Sequence, residues 1–352
     1  MAPTPSNKEP GTFKLSLQRA GASKLHLVAA FNSSNRPQSF LDIPIEYIPR
    51  LYKINLARLD HEVIVDVIDK LLQSTIGSIT ELSIYCTRLG CSSSWMPSDE
   101  DYVVGLDHPR QTKFASLMRG LEAFRICGAH FDWQTVSFFT RLVGLRIDYI
   151  TLGYDEAIHP FLQALASASE LRGLTIIMLD TFYNPNSLQG TEASRPIMLP
   201  RLESLFTTNS FFNTLKPLLQ ITVPTSCRLA LSLNLLALQN NLFDEGGGLF
   251  GASESVELGG EDPEWLTGPK IQRLLKALPS LKTLKMHNWT FDEDTWNNLR
   301  RSQTDQTHPQ VHPNTFPALE AIQLSTATIV TYAGFQMWWR VTHYDELYLG
   351  QL

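Results

Sequence analysis

The chain predicts an α/β fold, a solenoid in which parallel strands stack into a curved inner sheet and helices line the outside. Three observations point there: a short phrase that recurs, helical stripes between its copies, and proline at the joints. The phrase is Leu-x-x-Leu-x-Leu. It reads Leu51-x-x-Ile54-x-Leu56, Ile79-x-x-Leu82-x-Ile84, Leu121-x-x-Phe124-x-Ile126, Leu142-x-x-Leu145-x-Ile147 and Leu171-x-x-Leu174-x-Ile176. It continues as Leu202-x-x-Leu205, Leu281-x-x-Leu284-x-Met286, Leu319-x-x-Ile322-x-Leu324 and Tyr344-x-x-Leu347-x-Leu349, with weaker copies at Leu25-x-Leu27 and Leu229-x-Leu231. Starts lie roughly 21 to 42 residues apart, with one gap of about 55 before Leu281, which is the spacing of repeat arrays.

Each phrase alternates from its fourth position and favours branched apolar residues, so each predicts a strand. Helices are predicted between them. Asp60 precedes the stripe Val63, Ile64, Val67, Ile68, Leu71, Leu72. Asp132 precedes Val136 and Phe139, and Asp155 precedes Ile158, Phe161, Leu162 and Leu165. Thr267 precedes a first-turn proline, Pro269, then Ile271, Leu274, Leu275 and Leu278. Pro200, Pro279 and Pro317 stand just before or within the opening of a phrase and force extended chain there. Strand, helix and strand in the same sense make a parallel sheet, and such crossovers are right-handed. The expected array holds about ten or eleven irregular repeats.

The rhythm breaks in three places. Residues 240–264 contain Gly246-Gly-Gly248, Gly251, Gly259-Gly260 and several acids, and residues 90–107 and 301–315 are likewise off the pattern. All three are expected to be loops inserted into the array. No Lys-Ser/Thr follows the glycines, so a phosphate-cradling loop is not indicated. The expected organisation is a disordered tail over residues 1–10 and one solenoid over residues 11–352.

Bulk properties narrow the function. The 352 residues are 43% hydrophobic and 18% charged, a globular composition, and the net charge is -6. That balance argues against nucleic acid as a partner, because phosphate binding needs a basic surface. The polar, proline-rich start has no apolar signal segment, and no run is long and apolar enough to span a membrane, so no membrane partner and an intracellular location, cytoplasm or nucleus, are expected. Cys86 and Cys91 form a C-x4-C with no second pair, which reads as buried thiols. His26, His108, His130, His287 and His343 are scattered, and neither G-x-S-x-G nor H-E-x-x-H occurs, so no enzyme, cofactor or metal is expected.

Taken together, the phrase, its variable period and the helical stretches resemble leucine-rich-repeat proteins of the intracellular kind. Phe13-Lys-Leu-Ser-Leu-Gln-Arg-Ala-Gly-Ala-Ser-Lys-Leu-His-Leu27 resembles the lead into the repeats of fungal F-box-like proteins. Leu199-Pro-Arg-Leu-Glu-Ser-Leu205, Leu278-Pro-Ser-Leu-Lys-Thr-Leu284 and Phe316-Pro-Ala-Leu-Glu-Ala-Ile322 are similar to that group as well. The resemblance implies a protein-binding module, the substrate-recognition part of an SCF-type ubiquitin ligase, with a Skp1-type adaptor as partner where an F-box is present. The nearest internal match to an F-box opening is Ile43-Pro-Ile-Glu-Tyr-Ile48, but Pro49 interrupts the helix that should follow and Leu51 already begins a strand. The chain thus resembles the substrate-reading half alone. The alternative is a stand-alone scaffold or inhibitor unrelated to ubiquitin.

Strand alternation points to the binding face. Positions four and six of the phrase turn into the core, so positions three, five and seven face the open sheet. These are Lys53, Asn55; Glu81, Ser83, Tyr85; Arg125, Cys127; Arg146, Asp148; Thr175, Ile177; Ser204, Phe206, Thr208; Arg228; Thr283, Lys285, His287; Gln323; Glu346 and Tyr348. The partner-binding candidates among them are Tyr85, Arg125, Arg146, Asp148, Phe206, Arg228, Lys285, His287 and Tyr348. Arg125 and Arg146 hold equivalent positions in successive repeats, which suits a carboxylate or phosphate on a partner. Tyr85, Phe206 and Tyr348 are expected aromatic anchors. Trp338 and Trp339, with Phe335 and Met337, are expected to close the end of the stack.

Overall fold

A computed structural model describes residues 19–30, 45–73, 78–86, 96–105, 108–182, 197–208, 214, 217–218, 221, 228–233, 255–259, 271–272, 275–276, 278, 280–293, 295–296, 319–331, 336 and 346–349. The chain divides into two compact units, Met1–Leu174 with Leu179–Leu188, and Thr175–Met178 with Gln189–Leu352. The fold is α/β, a leucine-rich-repeat solenoid, and the helices among the described elements lie in the first unit.

In the first unit, β1 (Leu25–Ala30), β2 (Leu51–Leu59), β3 (Glu81–Cys86), β4 (Ala123–Cys127) and β5 (Gly144–Tyr154) pair in chain order, every pair parallel. Helix α1 (His61–Gln73) connects β2 to β3, and α2 (Gln111–Gly120) precedes β4. Helix α3 (Ile158–Ala166) leads from β5 to β6 (Gly173–Phe182), the strand in which the division falls. In the second unit, β7 (Ser204–Thr208), β8 (Arg228–Leu233), β9 (Ser255–Gly259), β10 (Thr283–His287), β12 (Ala321–Ser325) and β14 (Glu346–Leu349) pair in that order, again parallel. Two short strands, β11 (Thr290–Phe291) and β13 (Thr328–Ile329), pair separately.

The phrase controls both burial and hydrogen bonding. Its first, fourth and sixth residues are buried in repeat after repeat: Leu51, Ile54, Leu56; Ile79, Leu82, Ile84; Leu121, Phe124, Ile126; Leu142, Leu145, Ile147; Leu281, Leu284, Met286; Leu319, Ile322, Leu324. Each such side chain contributes about 1.5–3 kcal/mol by leaving water. The second residue stitches neighbours together. Thr80 O accepts the N–H of Glu122 and of Ala123, Glu122 O those of Val143 and Gly144, Val143 O those of Arg172 and Gly173, and Lys282 O those of Glu320 and Ala321. The eighth residue of six phrases lies in the left-handed region: Arg58, Gly128, Tyr149, Met178, Asn288 and Thr326 all have φ between 51° and 64°.

Helix α1 buries Ile64, Val67, Ile68, Leu71 and Leu72 from the expected stripe. Behind β4 and β5 the core is aromatic. Phe114 of α2 stacks on Phe131 with centroids 5.0 Å apart, and Trp133 meets Phe161 of α3 edge-on at 5.0 Å.

Several sequence expectations are corrected here. Residues 240–264 are not one loop: β9 lies inside them and pairs with β8 and β10. Its Val256 fills the core position, and the flanking glycines and acids obscured a phrase that lacks its first leucine. Residues 90–107 are not a free loop either. Val103 and Val104 are buried, Asp99–Asp101 form a turn of 3-10 helix, and Tyr102 makes a parallel bridge to His130. No helix follows Asp132; its Oδ1 accepts the N–H of Gln134 at 3.0 Å, an Asx turn, and Phe139–Arg141 is one turn of 3-10 helix. Ahead of β2, Ile45–Arg50 is a 3-10 helix containing Pro49. The expected tail 1–10, the loop 301–315 and Phe335, Met337, Trp338 and Trp339 lie outside the described residues. Among the described residues no helix is long and apolar enough to cross a membrane.

Candidate functional site: the exposed face of the strands

In the first unit, parallel pairing aligns equivalent positions of the phrase into rows across the strands, the register shifting only between Leu25 and His26 on β1 and between Ala57 and Leu59 on β2. One row is Val28, Asn55, Ser83, Arg125, Arg146. The row on one side of it is His26, Lys53, Glu81, Ala123, Gly144, and on the other Ala30, Ala57, Tyr85, Cys127, Asp148. The register expectation holds for all of these but Cys127, which is 4% exposed. The larger side chains Tyr85 and Asp148 stand on the strands either side of it, and Gly128 turns the chain back directly after it. Gly128 has φ of 64°, where glycine is unstrained, so glycine serves the turn.

The charges on this face are unevenly matched. Lys53 Nζ pairs with Glu81 Oε2 at 2.5 Å. His26, in the same row, is held below the usual imidazole range by partial burial and by Lys53, against the pull of Glu81. Arg146 donates Nε–H to Asp148 Oδ2 at 2.8 Å within its own strand. Asp148 is the anchored member, its side chain 13% exposed against 50% for Arg146. Arg125, the direct cross-strand neighbour of Arg146, is exposed and makes no ion pair or hydrogen bond among the described residues.

In the second unit the central row is Thr208, Ser232, Glu257, Lys285, Gln323, Tyr348, flanked by Phe206, Ala230, Ser255, Thr283, Ala321, Glu346. Phe206 and Lys285 are half-buried, so both show part of their surface on the face expected. Arg228 and Tyr348 hold the expected backbone positions, opposite Ser204 and Gln323. Sequence reasoning missed Glu257, the cross-strand neighbour of Lys285, because it sat in the segment read as loop. His287 is exposed at the strand end, where Nδ1 lies 2.9 Å from Ser325 Oγ and 3.0 Å from Thr326 Oγ1. A serine–histidine dyad needs a third group to orient the base. Among the described residues no carboxylate touches His287.

The burial of one polar group was not expected from the sequence. His130 is 5% exposed, its carbonyl accepting Val103 N–H at 2.9 Å and its ring 6.3 Å from that of Tyr102. Burial pushes its pKa down to about 4, opposed by the Asp101 carboxylate and a backbone hydrogen bond at Thr151, and aided by His61. Asp101 itself accepts the N–H and O–H of Ser98 at 2.9 and 2.6 Å. Tyr102 is raised by the same burial, then by Asp132, Asp99 and Asp101.

No protein-family model matches the chain, and no curated protein matches it. Solved structures do resemble it. The yeast Rad7–Elc1 complex has a chain 17% identical, covering 89% of this chain and 70% of that one, with a TM-score of 0.40. The leucine-rich-repeat protein LegL7 of Legionella pneumophila is 15% identical over 91% of this chain and 97% of that one, with a TM-score of 0.38. The TLR13–ssRNA13 complex is 15% identical over 84% of this chain and 42% of that one, with a TM-score of 0.34.

Proposed function

We propose that the chain is a non-enzymatic protein-interaction module that reads its partner with the exposed faces of its strands. The observation that carries this is the row register. In both units the third, fifth and seventh positions of the phrase bring polar, charged and aromatic side chains side by side, while the core beneath is made by other positions. Rows of this kind present several donors and an aromatic anchor on one scaffold, the composition that interfaces favour. The finer reading is target recognition for an SCF-type ubiquitin ligase, supported by the Leu-Pro-x-Leu phrases at Leu199 and Leu278 and the Phe-Pro-x-Leu phrase at Phe316.

Lysine cross-linking tests the coarse reading, because Lys53 and Lys285 lie on the strand faces while Lys70 and Lys113 lie on helices α1 and α2. Proteins that co-purify with the chain should cross-link to Lys53 or Lys285. Links confined to Lys70 and Lys113 would move the interface to the helices. Reconstitution with a purified Skp1-type adaptor tests the finer reading. Face-directed cross-links without adaptor binding would leave a stand-alone scaffold or inhibitor.

A further inference from the structure

The geometry points to Arg125 and Arg146 as a recognition site for one carboxylate of an extended acidic segment in a partner protein, a proposal that deepens the interaction reading above. The two residues are Cα partners across the β4–β5 ladder, so their side chains leave one face of the sheet from strands about 4.8 Å apart. That spacing lets two guanidiniums converge on one anion. Their states differ in a useful way. Arg146 is oriented by Asp148 through Nε, which leaves both terminal nitrogens able to donate and lowers the rotamer freedom lost on binding. Arg125 is exposed and has no partner among the described residues. Asp148 accepts from Arg146 at Oδ2 with its own side chain only 13% exposed, so it holds that arginine from a fixed position.

Charge balance selects the ligand. Two arginines and one aspartate leave a local charge of one positive unit, which matches a single carboxylate and not a phosphate dianion. The neighbouring ion pair Lys53–Glu81 is internally neutral and adds nothing. The whole-chain charge of -6 disfavours an extended polyanion such as nucleic acid, while one carboxylate still meets a locally positive spot.

The rest of the surface gives the segment its shape. Ser83 and Asn55 continue the arginine row across β3 and β2, a span of about 14 Å that equals about four residues of extended peptide. Both can hydrogen-bond a backbone or a polar side chain. The adjoining row offers Tyr85 and Ala57, so an apolar residue near the acidic one would find an aromatic wall. The partner segment is therefore extended, with an acidic residue flanked by polar ones and an apolar residue about two positions away.

The test uses the full chain, immobilised, and a library of N-acetylated, C-amidated octapeptides. One position is fixed in turn as Glu, Gln, phosphoserine or Lys. Glu should be enriched over Gln and over phosphoserine, with an apolar preference near it, and the enrichment should fall as salt rises. Arg125→Glu should reduce binding of the selected Glu peptide by at least about tenfold, since it removes the free cation and adds repulsion. Arg125 is exposed and makes no pair among the described residues, so this variant should melt as the parent does. Arg146→Lys should weaken binding less, because one charge remains without the fork. Equal selection of Glu and Gln by the folded chain would overturn the proposal, and so would preference for phosphoserine. A sequence pattern that is selected without an acid and survives Arg125→Glu would overturn this site yet keep the interaction reading. Failure to select any pattern would count against both.

Discussion

Acidification should destabilise the first unit through His130. In the unfolded chain this imidazole titrates near 6.5, and in the fold its pKa falls to about 4 because burial disfavours the cation. The folded state therefore binds fewer protons than the unfolded state throughout that interval. The stability owed to neutral His130 is complete above pH 6.5, declines as pH falls and is gone below pH 4. The separation corresponds to about 3 kcal/mol, a sizeable share of the 5–15 kcal/mol typical of a domain. The groups around the ring set the sign: Asp101 favours the cation and His61 opposes it, but neither outweighs desolvation. Urea unfolding from pH 7.5 to 4, followed by tryptophan fluorescence, would measure this, since Trp133 is buried in the same unit. The control is His130→Gln, which cannot titrate. Wild type should lose about 3 kcal/mol more than the variant between those limits, other titrations cancelling in the difference. Parallel pH profiles for the two proteins would refute the reasoning. Asp292 does not interfere. Its carboxyl is held below the usual carboxylate range by the Thr295 hydroxyl and N–H, so its contribution is lost only at lower pH.

Three further outcomes follow from the packing. Leu284→Ala should lower stability by about 2–5 kcal/mol through lost burial and a cavity, while Lys285→Ala should stay within about 0.5 kcal/mol; equal effects in a denaturant titration would contradict the strand register. Thr207 holds a core position at 1% exposure, and its Oγ1 has no hydrogen-bond partner, so the near-isosteric Thr207→Val should raise stability by about 1–2 kcal/mol in the same assay, and a loss would mean that the hydroxyl is satisfied. Arg58 is exposed with φ of 57°, where a side chain is strained, so Arg58→Asn should stabilise by about 0.5–1 kcal/mol, and a lowered melting temperature would show that the arginine makes an interaction worth more than its strain.

Much of this architecture was legible because the phrase separates two jobs by parity. Leucines at the first, fourth and sixth positions must be inside, and one such assignment fixes the face of every neighbour. Arg125, Arg146, Lys285 and His287 were placed correctly by that rule alone. Cys127 was not, since exposure at the seventh position depends on the size of residues one strand away. Strand β9 was missed because its phrase lacks the first leucine and lies among glycines, a local composition overridden by pairing on both edges. His130 carried no signal of its own. Its burial arises from the bridge with Tyr102, a residue in a segment whose polarity reads as loop. The pairing of Arg146 with Asp148, which distinguishes it from Arg125, was visible only as a spacing of two along a strand.

The left-handed residue at the eighth position, present in the phrases that begin at Leu51, Leu121, Leu142, Leu171, Leu281 and Leu319, divides those repeats into a constant part and a variable one. The first, fourth and sixth residues are buried in each of these phrases, yet the starts at Leu51, Ile79, Leu121, Leu142 and Leu171 are 28, 42, 21 and 29 residues apart. That variation falls after the sixth residue of the phrase. A lineage can therefore lengthen or shorten the outer connections of one repeat without shifting the order in which side chains appear on the strand face. It can equally rewrite the third, fifth and seventh letters while the leucines keep the stack together. Such a chain can drift in length and change what it recognises by separate routes, each nearly invisible to the other.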